Sequence, residues 1–203
     1  MTNERQPRRT SSEVRTAFGA SLDEALQVFP SLKPLEHKLG EAAMRCVESL
    51  RGGPKFRACG NGGNACEAQH LAGEQVGRYR VDRIALPAIA MTADSAVLTC
   101  IGNDYRFEYI FARQVEALGQ PGDVSVAFTT SGNSGNILRA LEAARTLSLA
   151  SIAFLGRDGG AAALLADCTL IVPHMDAARV QEEHRFPMHS LMDSIEAEFG
   201  HVI

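Results

Sequence analysis

The sequence predicts a doubly wound α/β sheet, because short apolar runs alternate with amphipathic segments of helical length from about residue 54 onward. Five runs, "KFRACG", "LPAIAMT", "DVSVAFTT", "ASIAFLG" and "CTLIVP", carry apolar side chains on both strand faces. Strands of a parallel sheet read this way, since helices cover both sides. Between the runs, helical segments fall near 64–77, 96–118 with an interruption at "GND", 134–147 and 159–166, and a last long helix spans about Asp176 to Phe199.

Ahead of the sheet lie two helices over 11–52. Thr10 and Glu13 have the spacing of a capping box. Val14, Phe18, Leu22, Leu26 and Val28 then form an apolar stripe, and Pro30 and Pro34 break the chain. The second helix carries Leu39, Ala42, Ala43, Cys46, Val47 and Leu50 and stops at Gly52 and Gly53. Residues 1–10 read as a disordered tail, and no linker or repeat divides the 203 residues, so the expectation is one domain over 1–203 with its α/β core at 54–203.

Composition narrows the function classes. With 45% hydrophobic and 22% charged residues the chain resembles an ordinary globular protein. A net charge of -4 gives no nucleic-acid footprint, and the basic run Arg5 to Arg9 reads as a frayed tail. No apolar run reaches the roughly eighteen residues needed to span a bilayer, and no signal core follows the first charges, so the expectation is a cytoplasmic protein without membrane or nucleic-acid partners. Cys46, Cys59, Cys66, Cys100 and Cys168 lack CxxC spacing and read as small buried side chains, with Cys66 a candidate reactive thiol.

The most informative segment is "DVSVAFTTSGNSGNILRALEAAR". A strand runs into "TTSGNSGN" and an amphipathic helix follows, so Thr129, Thr130, Ser131 and Ser134 gather at a strand's carboxyl end and a helix's amino end. Unpaired N–H groups and a partial positive charge favour an anion there. The Gly-Lys-Ser/Thr element of a nucleotide-binding P-loop is absent, as is the GxGxxG dinucleotide spacing. Several short donors suit a single phosphoryl group, against the plainer reading of a turn with Ser134 as a helix cap.

A second loop-to-helix junction, "GNGGNACEAQHLAGE", places Asn61, Gly62 and Gly63 before a helix on which His70 and Glu74 lie four apart, about 6 Å on one face. One metal ion can bridge such a pair, although a surface pair has the same spacing. In "ARVQEEHRFPMHSLMDSIE", Gln181 and His189 form another candidate pair, with His184 and His201 as competitors. Eight helical residues separate Gln181 from His189 by about 12 Å of rise, so the two do not converge unaided. Either Pro187 kinks or interrupts the helix between them, or the two serve sites on different subunits.

"CGNGGNACEAQHLAGE", "IGNDYRF", "TTSGNSGNILRALEAAR", "GRDGG" and "ARVQEEH" together resemble the sedoheptulose 7-phosphate isomerases, or phosphoheptose isomerases, of the sugar isomerase (SIS) superfamily, in the same order from about residue 35 to the end. The resemblance implies a three-layer, flavodoxin-like SIS fold with a five-stranded parallel sheet, N-terminal helices and a long C-terminal helix. It also implies a homotetramer with active sites at subunit interfaces. Substrate contacts fall on Asn61, Gly62, Gly63, Glu74, Asn103, Asp104, Thr129, Thr130, Ser131, Ser134 and Gln181. Zinc ligands, one ion per subunit, fall on His70, Glu74, Gln181 and His189, and the catalytic acid/base pair on Glu74 and His189.

The implied reaction is the aldose-ketose isomerisation of sedoheptulose 7-phosphate to D-glycero-D-manno-heptose 7-phosphate through an enediolate, the first step toward nucleotide-activated heptoses. Asn64 and Thr129 stand where many members have serine, Ala178 where some have aspartate, and Pro187 is unexpected. The rival is a non-catalytic SIS regulatory protein that associates with a replication initiator. Such relatives tend to lose the carboxylate that Glu74 supplies here. Other SIS isomerases, acting on hexose phosphates or amino sugars, remain a second alternative.

Overall fold

The computed structural model describes residues 10–53 and 55–200; the basic run Arg5 to Arg9 and His201 lie outside them. Five strands, β1 (Phe56–Gly60), β2 (Ala88–Ala90), β3 (Val124–Thr129), β4 (Ala150–Gly156) and β5 (Cys168–Val172), form one sheet in the order β2-β1-β3-β4-β5. Every pairing is parallel, with Gly60 opposite Phe128 and Phe128 opposite Phe154. The five strands coincide with the five apolar runs. β1 and β3 are buried at every position, whereas three-residue β2 forms a partly exposed edge.

Two helical layers explain this burial. On one face pack α2 (Glu36–Arg51), α3 (Gly63–Val76) and α7 (Ala177–Phe199), bringing Cys46, Leu50, Leu71, Leu191 and Ile195 against Phe56, Phe128 and Phe154. On the other, α4 (Ser95–Asp104), α5 (Ala112–Leu118) and α6 (Gly135–Thr146) set Ile101, Val115, Ile137 and Leu141 against Ala127 and Leu155. Strand order changes direction between β1 and β3, so a crevice opens at their carboxyl ends.

The N-terminal helix α1 (Ser11–Val28) starts with the capping box expected of it: Thr10 N–H donates to Glu13 Oε2 at 2.6 Å and Glu13 N–H to Thr10 Oγ1 at 3.2 Å. Its apolar stripe is not covered by the described residues. Val14, Phe18, Leu22 and Leu26 are 46–71% exposed, and Val28 is the buried residue of the helix. A 3₁₀ segment, Phe29–Leu35, holds Pro30 and Pro34 and leads directly into α2.

Several local expectations are corrected. Pro187 does not interrupt α7, which stays one helix over 23 residues. Proline removes one backbone hydrogen bond, but Met188, Leu191 and Met192 are buried just beyond it and His184 just before, so packing outweighs a cost of about 3 kcal/mol. The break in 96–118 falls after Asp104 instead of at "GND", because α4 includes Gly102 to Asp104. The segment 159–166 forms only a 3₁₀ turn, Ala161–Leu164. Cys66 and Cys100 are exposed on their helices, while Cys46, Cys59 and Cys168 are buried. Among the described residues no helix is long and apolar enough to cross a membrane.

Candidate active site

Both loop-to-helix junctions read from the sequence open at the β1/β3 crevice. β1 ends at Gly60, and Gly62, with a positive φ of 57°, turns the chain into α3. A side chain at Gly63 would place its Cβ 2.5 Å from Gln181 Oε1, so this glycine lets α7 approach the start of α3. β3 ends at Thr129, and the chain turns through Gly132 into α6.

A reciprocal amide pair ties the loop before α3 to the start of α6. Asn61 Nδ2 donates to Asn136 Oδ1 and Asn136 Nδ2 to Asn61 Oδ1, both at 2.8 Å. Asn136 was absent from the residues singled out in the sequence, although a Gly-Asn dipeptide stands in both loops, "CGNGG" and "NSGN". That echo was the available signal. Buried near the start of α6, Asn136 sets the distance between two helix amino ends that point at one crevice.

Within the hydroxyl loop the side chains divide into two roles. Thr129 Oγ1 accepts from Gly132 N–H at 3.3 Å, and Ser131 Oγ accepts from Asn133 N–H at 3.2 Å, so these two shape the turn. Asn133 braces it further, donating to Ser131 O at 2.9 Å and accepting from Ala161 N–H at 3.1 Å. Ser134 occupies the N-cap position of α6, yet its side chain makes no capping hydrogen bond. Its hydroxyl remains available to an anion at the helix end.

The second cluster lies two turns along α3. His70 Nε2 is 3.0 Å from Glu74 Oε1 and 3.4 Å from His189 Nε2. His70 thus joins α3 to α7, with the two imidazoles edge to face at 5.0 Å between ring centroids. Burial, helped by the neighbouring His70, lowers the pKa of His189 and favours its neutral form. Beside this cluster, Arg185 Nη2 pairs with the buried Glu67 Oε1 at 2.6 Å. Tyr79 stacks on His189, with centroids 5.2 Å apart and planes 30° apart; it too was missed in the sequence, having no motif around it.

Imidazole, imidazole and carboxylate form a donor set that suits zinc. Among the described residues, however, no group of three or more His, Cys, Asp and Glu is assembled to hold a metal. Glu74 and His189 each touch His70, and Gln181 is displaced from all three. It packs at Gly63, seven residues or about 10 Å of helix before His70. The separation expected of Gln181 and His189 therefore holds within one chain. Asn103 and Asp104 lie exposed at the end of α4, where Asn103 Nδ2 donates to Asp104 Oδ1 at 2.8 Å, and among the described residues no hydrogen bond links them to the other candidates.

His184, the competitor for a catalytic role, is buried beneath the sheet near Phe128 and Phe154, its ring centroid 6.2 and 6.1 Å from theirs. Burial pushes its pKa down to about 4, which the nearby Leu155 carbonyl and Glu67 only partly oppose. Neither ring nitrogen has a hydrogen-bond partner among the described residues. It is a core imidazole with no access to the crevice.

This fold and its crevice define an SIS domain protein, and the SIS domain family matches residues 22–156. The chain is 46% identical to a phosphoheptose isomerase of Helicobacter hepaticus over 92% of its own length and 93% of the relative's. With that of Paramagnetospirillum magneticum it shares 53% identity over 75% and 79%. The structure of phosphoheptose isomerase from Neisseria gonorrhoeae superposes with a TM-score of 0.86 at 39% identity, covering 91% of this chain and 99% of that one. The chain belongs to the phosphoheptose isomerase family.

Proposed function

We propose that this protein is a cytoplasmic isomerase that converts sedoheptulose 7-phosphate to D-glycero-D-manno-heptose 7-phosphate, moving a carbonyl from C2 to C1. The observation that carries the reading is the meeting of Glu74 on α3 with His189 on α7 through their common neighbour His70. A carboxylate and a neutral imidazole stand together there, on helices packed on the same sheet as the hydroxyl loop.

The division of labour follows from chemistry. The hydroxyl loop and the amino end of α6 hold the phosphate, and binding energy at that distant group is used to orient the reacting carbons. Glu74 takes the proton from carbon, and His189, kept neutral by burial, exchanges protons with the two oxygens. The charge that develops on the enediolate needs nearby positive partners. His70, Glu74 and His189 are the side chains that would hold a zinc ion, whose chemistry would be Lewis-acid polarisation of the carbonyl. Their two imidazoles and one carboxylate suit zinc, with the two Nε2 atoms 3.4 Å apart.

The remaining residues are read in the same frame. Asn61, Gly62 and Gly63 line the sugar, with Asn103 and Asp104 contacting it from the end of α4. Gln181, set apart from His189 along α7, serves the metal or the substrate of a neighbouring copy in a homotetramer with sites between subunits. The apolar stripe of α1, which the described residues leave exposed, supports such an assembly, because a partner copy would cover it. The chain over 1–203 is read as one SIS unit.

Incubation with sedoheptulose 7-phosphate, with and without chelator, followed by NMR of the sugar, tests the reading. The expected product is the heptose 7-phosphate aldose, lost on chelation and recovered with zinc. No aldose under either condition would overturn the isomerase assignment in favour of a sugar-phosphate-binding regulator. Full turnover after verified metal removal would remove zinc alone.

A further inference from the structure

Between α3 and β2 the chain has no regular structure from Gly77 to Pro87, so side chains must hold it. Glu196 of α7 does most of this. Its carboxylate accepts from the N–H groups of Tyr79 and Arg80 at 2.8 Å each and of Val81 at 3.2 Å, and it pairs with Arg83 Nε at 3.2 Å. The side chains of Arg83 and Glu196 are 1% and 5% exposed, which makes the three N–H bonds to this carboxylate, and its ion pair with Arg83, costly to lose.

The partners of this carboxylate lead back to the candidate site along two routes. Arg83 donates through Nη2 to the carbonyl of Glu74 at 2.6 Å and through Nη1 to that of Gln75 at 2.9 Å, closing the turn of α3 that carries Glu74. Tyr79, fixed through its N–H, lays its ring on His189. The geometry of α7 makes this possible. Glu196 and His189 are seven residues apart, about two turns, so both face the strap. Arg80 adds a second tie to α7 through Asp193 at 3.0 Å, and its guanidinium lies 4.8 Å from the Tyr79 ring.

We propose that Glu196 and Tyr79 are positioning residues for the proton transfer: Glu196 pins residues 79–83 against α7, and the Tyr79 ring thereby fixes the plane in which His189 exchanges protons. The proposal rests on the reading of His189 as a proton-transfer residue. A stacked aromatic restricts rotation of the imidazole about its last side-chain bond, where plain cover by an aliphatic group would not. The phenol hydroxyl has no part in this, so the ring alone is needed.

The test uses the full chain with ¹³C-labelled histidine, the His189 ring resonance being assigned with His189→Gln. Glu196→Gln and Tyr79→Leu are each expected to shift that resonance and to lower kcat about 10- to 100-fold with KM little changed, whereas Tyr79→Phe restores most of the loss. Thermal unfolding measured alongside separates misfolding from misplacement, and Tyr79→Leu, at a half-buried position, serves if Glu196→Gln does not fold. An unmoved His189 resonance in both variants overturns the proposal, as does a shifted resonance with undiminished kcat or a Tyr79→Phe enzyme as slow as Tyr79→Leu. Near-full turnover in His189→Gln would sink the proton-transfer reading separately, and the resonance would still report whether the strap orients the ring.

Discussion

The two ends of the sheet treat their polar groups differently. At the amino end, Arg57 and Asp123 form an ion pair whose side chains are almost wholly buried. Asp123 also accepts from Lys55 N–H at 2.6 Å and Gln120 N–H at 2.8 Å, and Arg57 donates to the Leu118 carbonyl. Of these groups only Arg57 Nε lacks a partner among the described residues. At the carboxyl end, the Ser134 hydroxyl caps nothing, and Asn64 Oδ1 and Glu67 Oε2 are buried without hydrogen bonds among the described residues. The Ser125 hydroxyl, on β3 opposite Arg57, is also buried without a partner among the described residues, so the contrast lies in the dense pairing of Asp123 and not in an absence of unpaired groups at the amino end. A buried donor or acceptor without a partner costs about 1 to 3 kcal/mol.

The sharpest way to break this comparison is at the reacting end. Glu74→Gln keeps the shape of the site and removes the base, so kcat should fall about 10²- to 10⁴-fold while sugar phosphate still binds. Turnover near that of the parent would remove Glu74 from the base role. At the opposite end, Asp123→Ala leaves the Arg57 charge buried and unpaired. Urea unfolding should show a loss of about 3 to 5 kcal/mol, with KM unchanged in protein that stays folded. A changed KM would mean that the two ends are coupled.

A smaller effect comes from beneath the sheet. The pKa of His184 is pushed from its ordinary value of 6.5 down to about 4 on folding, so the unfolded chain takes up the proton first as pH falls. Stability is complete above pH 6.5 and drains away between pH 6.5 and 4, by about 3 kcal/mol. Chemical denaturation across that window checks it, and His184→Gln should flatten the profile. Least affected of all should be the stability of Ser134→Ala, within about 0.5 kcal/mol, because no cap is lost. Its KM for the sugar phosphate should nonetheless rise about tenfold, as a hydrogen bond to a charged group is forfeited. A destabilised protein with normal KM would return Ser134 to the role of a plain helix cap.

Much of the site was legible because its chemistry is concentrated in short stretches. Asn61 to Glu74 lies on one loop and helix, and Thr129 to Ser134 on one loop, so spacing alone placed the start of each stretch at a strand end. Asn136 and Tyr79 were not legible in that way. Their meaning lies in partners 75 and 110 positions away, Asn61 and His189, and local periodicity carries no information about such pairs. The stripe on α1 shows the converse limit: its amphipathic pattern was plain, but nothing in the pattern said that the described residues would leave it uncovered.

The sequence by itself determined the five strands, the order of most helices, the hydroxyl loop and the pair His70 and Glu74, because each depends on contacts between near neighbours along the chain. Tertiary structure alone decided that α7 runs unbroken through Pro187, that His189 meets His70 while Gln181 stops at Gly63, and that Glu196 straps Tyr79 onto the site. Those outcomes depend on how two helices on one face of the sheet are set against each other. That setting is fixed by packing across the whole layer, where burial at Met188, Leu191 and Ile195 outweighs any local preference of the residues between.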